Sequence, residues 1–381
     1  MFKKAIYLCL ALTPVMFSSC SEEDPEIPDV IPTGGVDFGP GGDVIGIYVL
    51  NEGNMGANKC TLDYYDYTTQ TYYQNIYDQN NPDVVMGLGD SGNDIAVHDG
   101  RLYIVVGGSH KVEVLDAYTA KRIGQVDISS PRNLAFRGDS VMVSSFVDAN
   151  GGSNGSVVWF DAKTLEVKGQ CTVGIAPEEM VVADGKLYVA NSADFNTYTF
   201  DNTISVVDLN SFALEGSIDL GSIVNLHHLR LDNCGNMWVT ARGNYADKPS
   251  VLARLAKDES GEYALAETTP YGCANLALGN GMLYFYEQNY DASYNATYNF
   301  DALRPTATGY DDMHADFIND VDDIATPYAL AVQPSNGDIF VTDVKDYTSS
   351  GELRCYTPAG TLRTKVTTGD IPGHIAFLVR R

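Results

Sequence analysis

A short apolar triplet returns seven times along this chain. It reads Ile47-Tyr48-Val49, Leu102-Tyr103-Ile104, Val141-Met142-Val143, Leu187-Tyr188-Val189, Met237-Trp238-Val239, Leu283-Tyr284-Phe285 and Ile339-Phe340-Val341. The intervals centre on roughly 40–50 residues, the length of a unit carrying four strands. The stretch 177–220 shows one unit in full. Met180-Val181-Val182 leads to a turn at Asp184-Gly185, then Lys186–Ala190, a long polar loop, Ile204–Asp208, a short turn and Glu215–Leu220. Apolar runs bounded by Asp-Gly and Asn/Asp-rich punctuation describe an up-and-down four-stranded sheet. One such sheet cannot bury both faces alone, so the units must pack on one another.

The flanking strands settle how the array ends. First strands read GNDIAV, PRNLAF, PEEMVV, LHHLRL, CANLAL, PYALAV and, at the C-terminus, PGHIAF, which has no second strand after it. The first second-strand copy, GIYVLNEG, has no first strand before it. Pairing 375–378 with the strand begun at Ile45 closes the ring and removes both sheet edges. The fold class is therefore all-β, a seven-bladed β-propeller whose first blade is completed by the C-terminal strand. Third strands ending in aspartate support the repeat at YYD 64–66, VLD 114–116, WFD 159–161, VVD 206–208 and NFD 299–301. LYVAN (187–191) and IFVTD (339–343) resemble the pattern that gives YVTN-repeat propellers their name.

Three segments follow in order: a lipoprotein signal peptide at 1–19, a lipidated cysteine with a disordered acidic tether at 20–43, and the propeller at 44–381. Lys3-Lys4 precede the apolar run 5–17, which is too short to span a bilayer. Ser18-Ser19-Cys20 resembles a bacterial lipobox, with Phe17 where leucine is commoner, and implies lipidation of Cys20. The alternative is ordinary cleavage with Cys20 free. Ser21-Glu22-Glu23-Asp24 resembles the acidic signal that carries some Gram-negative lipoproteins to the outer face of the outer membrane. Residues 21–43 are rich in Pro, Gly, Asp and Glu without periodicity and read as disordered. The net charge of −26 argues against nucleic acid as a partner. Cys60, Cys171, Cys234, Cys273 and Cys355 show no CxxC spacing and read as buried small hydrophobes, a Cys60–Cys355 bridge being the alternative.

Chain topology sorts the connections onto two faces. Turns on one face are minimal: HDG (98–100), RGD (137–139), ADG (183–185) and SNG (335–337). Loops on the other are 51–59, 146–155, 191–202, 241–250, 287–299 and 344–351, mixing Tyr and Phe with Asn, Gly, Arg and Lys. That mixture suits a binding surface. Loop position selects Arg132, Phe146, Phe195, His227, Arg242, Tyr245, Tyr290, Tyr328 and Tyr347 as ligand contacts. Around the axis, first strands place Asp94, Asn133, Glu179, His228, Asn275, Ala329 and His374 in one column. Such a column could hold a hard cation or line a polar channel. Ala329 interrupts it and two histidines suit calcium poorly, so no metal site is assigned. Glu178-Glu179 are adjacent on a strand and are expected on opposite faces. The acidic run Asp320, Asp322 and Asp323 lacks an EF-hand's spacing and reads as solvated surface. No HExxH, no P-loop and no GxGxxG in a βαβ context is present, so no catalytic residue is assigned and the expectation is not an enzyme.

Four segments carry a closer resemblance: LNEGNMGANKCTLDYYDY (50–67), KVEVLDAYTAKRIGQVDI (111–128), CTVGIAPEEMVV (171–182) and TGDIPGHIAFL (368–378). With the lipobox-like start, the chain resembles the BtuG-type surface lipoproteins. The resemblance implies capture of cobalamin (vitamin B12) or another corrinoid as a transported ligand, not a cofactor. It also implies delivery to a TonB-dependent outer-membrane receptor and a place on the extracellular face of the outer membrane, with membrane contact through the lipid anchor only. A glycan- or protein-binding propeller and a metal-dependent propeller lactonase are the alternatives.

Overall fold

The computed structural model describes residues 33–380 apart from 149, 150, 291, 292, 294 and 316. The signal segment, Cys20 and the tether as far as residue 32 lie outside the described residues.

The seven triplets become the second strands of seven antiparallel units, Val44–Asn51, Arg101–Val106, Ser140–Ser145, Lys186–Asn191, Met237–Ala241, Met282–Tyr290 and Ile339–Asp343. We number the units as blades one to seven and letter their strands a to d from the axis outward. Strands a are Pro372–Val379, Gly92–His98, Pro131–Arg137, Pro177–Ala183, Leu226–Leu231, Asn275–Gly279 and Pro327–Val332. Each strand a touches the strands a of both neighbours, the whole way round. The closing pair is antiparallel, with Ile47 opposite Phe377 and Val49 opposite Ile375. All-β, seven-bladed closure by the C-terminal strand thus holds.

Burial explains the sequence grammar. Strands b are covered on both sides by neighbouring blades, so they read as continuous apolar runs; Leu102–Val106 are fully buried. Strands d form the outer wall, and Ala213–Asp219 is exposed along almost its whole length. Most of the core lies between blades. Met142 and Val157 of blade three pack with Leu187 and Val189 of blade four, and Tyr188 of blade four packs with Leu229 and Val239 of blade five. Cys60, Cys171, Cys273 and Cys355 are buried free thiols, as the reading without a Cys60–Cys355 bridge expects, whereas Cys234 is exposed in the turn between strands a and b of blade five, against that reading.

Three local expectations are corrected. The tether ends earlier than 43. Thr33–Gly34 pairs with Tyr72 and Thr71 as a fifth strand of blade one. Phe38 is fully buried, its ring 4.5 Å from Tyr65 and 5.5 Å from Phe340. Gln333 and Asn336 of blade seven then donate to the carbonyls of Gly41 and Pro40. A Pro/Gly-rich composition hid two apolar anchors, Val36 and Phe38, that fill the seam where the ring closes.

Blade six differs too. The loop expected at 287–299 is mostly strand: Met282–Tyr290 and Ala296–Pro305 pair out to Tyr290 opposite Ala296. That longer hairpin shifts the register. Asp66, Asp116, Asp161 and Asp208 end their strands c, whereas Asp301 sits mid-strand opposite Phe285. Finally, Glu178 and Glu179 do not face apart. The pairing of strands a and b slips between Pro177 and Met180, a bulge that lets both side chains address the axis.

Candidate functional site: the decorated face and channel mouth

The bulge recurs where strands a begin in every blade but the sixth. Its extra residue turns two consecutive side chains toward the axis instead of one. The axial column consequently has polar groups above and beside it, and the structure shows what the column does. Asp94 accepts the Leu134 N–H of the next blade at 2.8 Å. Glu179 accepts the Leu229 N–H at 2.9 Å and also binds His228 and Arg230. The Asn275 amide donates to the Tyr328 carbonyl at 2.8 Å. These three stitch blade two to three, four to five and six to seven. In blades three, five and seven a strand b hydroxyl takes the bulge N–H instead: Ser144 from Asn133, Thr240 from His228, Thr342 from Ala329. The column is therefore a polar channel lining in structural use. Among the described residues, the one group of three metal-ligand side chains in mutual reach is Asp301, Asp312 and His314 on blade six, away from this column.

Burial sets the protonation of the lining. Both channel histidines are held well below the usual imidazole range, His228 down to about 3, chiefly by desolvation and then by the Arg242 charge. The Asp94 carboxyl is pushed up by burial, against the His374 charge and two backbone N–H bonds. An unfolded histidine binds its proton near pH 6.5, so between that value and about 3 unfolding takes up a proton at His228. Its contribution is intact above pH 6.5 and is lost as pH falls through this window. Going from pH 7 to 5 should remove about 2 kcal/mol through His228. Urea melts should therefore show His228→Gln losing about that much less than the parent over the same interval. Parallel stability curves would contradict the assignment.

Above the channel, eight of the nine sequence-selected residues assemble into four pairs. The Arg132 guanidinium lies 4.6 Å over the Phe146 ring and binds Glu178. Arg242 donates to His227 Nε2 at 2.7 Å. Phe195 and Tyr245, from the b–c loops of blades four and five, stand 6.1 Å apart. Tyr328 and Tyr347 meet edge to face at 6.1 Å, and the Tyr328 phenol reaches Glu52 at 3.4 Å. Tyr290 stands at the tip of the blade-six hairpin, its phenol accepting from Gln288. Tyr328 is mostly wall rather than contact: burial, then the Glu52 charge, pushes its phenol far up. The loop 191–202 is itself ordered by a small ladder pairing Ala193 with Phe200 and Asp194 with Thr199.

Position selection missed Glu178, the acid that faces Arg132 and Arg242, and Glu52, which accepts from the Tyr328 phenol. The signal was present: the residue before each column member reads Asn93, Arg132, Glu178, His227, Ala274, Tyr328 and Gly373. Without the bulge these would point away from the axis.

The distribution of apolar surface separates the two faces. Among the described residues fifteen large hydrophobic side chains are exposed, and ten belong to the b–c loops or blade links of one face: Met55, Val85, Met86, Phe146, Val147, Phe195, Tyr198, Tyr245, Tyr290 and Tyr347. Ile123, Val167, Leu214 and Leu265 lie on outer strands d, and Val379 ends a strand a. A clustering of exposed apolar groups marks an interaction site, whereas scattered single residues do not. The acidic run on the flank is partly tied down, Asp320 to Arg354 at 3.3 Å.

Solved structures agree on the fold. The chain is similar to a hypothetical selenium-binding protein from Sulfolobus tokodaii (12% identity, 89% of this chain and 94% of that one, TM-score 0.62). It is similar to a quinonprotein alcohol dehydrogenase-like protein from Bacteroides thetaiotaomicron (16%, 88% and 79%, TM-score 0.60). It is also similar to the periplasmic gluconolactonase of Pseudomonas aeruginosa (11%, 88% and 100%, TM-score 0.56). At these identities the likeness concerns architecture alone. No curated protein matches the sequence. Residues 45–242, just over half of the chain, match the family DUF5074, a domain of unknown function, and the chain belongs to that family.

Proposed function

We propose that this protein is a cell-surface binding protein for cobalamin or a related corrinoid, not an enzyme. It is anchored through a lipid on Cys20 at the extracellular face of the outer membrane and passes its ligand to a TonB-dependent transporter. The observation that carries the reading is the gathering of exposed aromatic and apolar side chains onto the face around the channel mouth. A corrinoid is broad and flat, edged with carboxamides. A rim of rings and amides offers it apolar area and hydrogen bonds together. The segment resemblance to BtuG-type lipoproteins supplies the ligand class. The channel acids favour binding over catalysis, since Asp94 and Glu179 are engaged by backbone N–H groups of neighbouring blades.

Calorimetric titration of the protein with cyanocobalamin tests this. The expected result is a single site tighter than about 1 μM, roughly −8 kcal/mol, with the corrinoid recovered unchanged. Absence of heat at tens of micromolar would remove the corrinoid, and retention on a polysaccharide array would then favour a glycan.

A further inference from the structure

One carboxylate at the channel mouth is shared by two cations. Glu178 is 3% exposed. Arg132, from blade three, aims Nε and Nη2 at its Oε2, each at 3.3 Å. Arg242, from blade five, brings Nη1 to 3.9 Å from its Oε1, too far for a hydrogen bond. Each guanidinium is braced from another side, Arg132 by the Phe146 ring and Arg242 by His227 Nε2. Arg242 stays protonated, so it donates, and His227 must present a lone pair at Nε2. His227 is then neutral and adds no charge. The balance of the cluster is two positive charges to one negative, the reverse of a chain whose net charge is −26.

Exposure separates the partners. The arginine side chains are 27% and 35% exposed while that of Glu178 is 4% exposed. A ligand approaching along the axis therefore meets guanidinium edges before carboxylate. Arg132 Nη1 is not used by Glu178, and Arg242 Nη1 has no hydrogen bond to it. Braced guanidiniums with spare N–H groups form a rigid fork for oxyanions, at little ordering cost.

We infer that Arg132 and Arg242 form an anion subsite at the channel mouth, binding a phosphate or carboxylate group of the ligand while the aromatic rim holds its body. This rests on the decorated face being the binding face. Glu178 keeps the two cations together when the subsite is empty and limits its affinity when it is filled.

The test uses inorganic phosphate first, titrated calorimetrically into the protein at low salt. The parent should bind it saturably, Arg132→Gln/Arg242→Gln should bind at least tenfold more weakly, and Glu178→Gln several-fold more tightly. The last variant preserves an acceptor for Arg132, so it guards against a simple folding failure, which thermal melts would reveal. A second arm compares cyanocobalamin with cobinamide, the corrinoid lacking the nucleotide and its phosphodiester. The double variant should lose about tenfold on cyanocobalamin and nothing on cobinamide if the phosphodiester is the bound group. Phosphate binding without corrinoid binding would sustain the subsite and end the corrinoid reading. Corrinoid binding unaffected by all three substitutions, with no phosphate binding, would overturn the subsite and leave the face intact.

Discussion

Deleting Pro372–Val379 should abolish cooperative unfolding. That strand supplies the inner edge of blade one, paired along Val44–Asn51, and its Ala376 and Leu378 are buried with Tyr48, Leu50 and Leu102. It also touches the strands a of blades two and seven, so its removal opens the ring as well as one sheet. Burial of such side chains contributes about 1.5–3 kcal/mol each, and a domain's whole margin is about 5–15 kcal/mol. The exposed edge of Val44–Asn51 would then be a template for aggregation. Scanning calorimetry should show a single sharp transition for the parent and none for the truncated chain. A truncated protein melting within about 5 °C of the parent would mean that the N-terminal segment alone closes the ring.

The second large effect concerns recognition. Phe195 and Tyr245 are 50% and 69% exposed, so replacing both with alanine removes little packing. If their rings clamp a corrinoid, the double substitution should cost about 3 kcal/mol of binding, roughly a hundredfold in Kd, with an unchanged melting temperature. Ile123→Ala, 45% exposed but on the outer wall, is the control and should change neither. Equal affinity of the double variant and the parent would move the site elsewhere on the ring.

Closure was legible because it is a property of unmatched repeats: a first strand without a second at one end and a second without a first at the other. The decorated face was legible because loop length and chain topology fix it. What escaped was short-range. Val36 and Phe38 alternate within only a few residues, too brief a pattern to stand out from the Pro, Gly and Asp around them. The bulge at Pro177–Met180 leaves no mark in a strand whose residues are expected to alternate, so Glu178 was placed on the wrong side. Yet its companion signal is visible afterwards. Ser144, Thr240 and Thr342 stand directly after the apolar triplet of strand b in blades three, five and seven, where Val105, Ala190 and Tyr286 stand in blades two, four and six. Among blades two to seven, those without Ser or Thr there have Asp94, Glu179 or Asn275 as the column residue, and it is these that cross to the next blade. Blade six misled for a related reason: lengthening a hairpin moves Asp301 off the strand end without altering its local sequence.

Hydrogen–deuterium exchange with and without saturating cyanocobalamin tests the central claim most directly. The account predicts protection confined to the long-loop face, at 146–148, 193–200, 242–247 and 345–347, with the turns at 98–100, 137–139, 183–185 and 335–337 unchanged. Protection of those turns, with the aromatic loops exchanging as before, would contradict it.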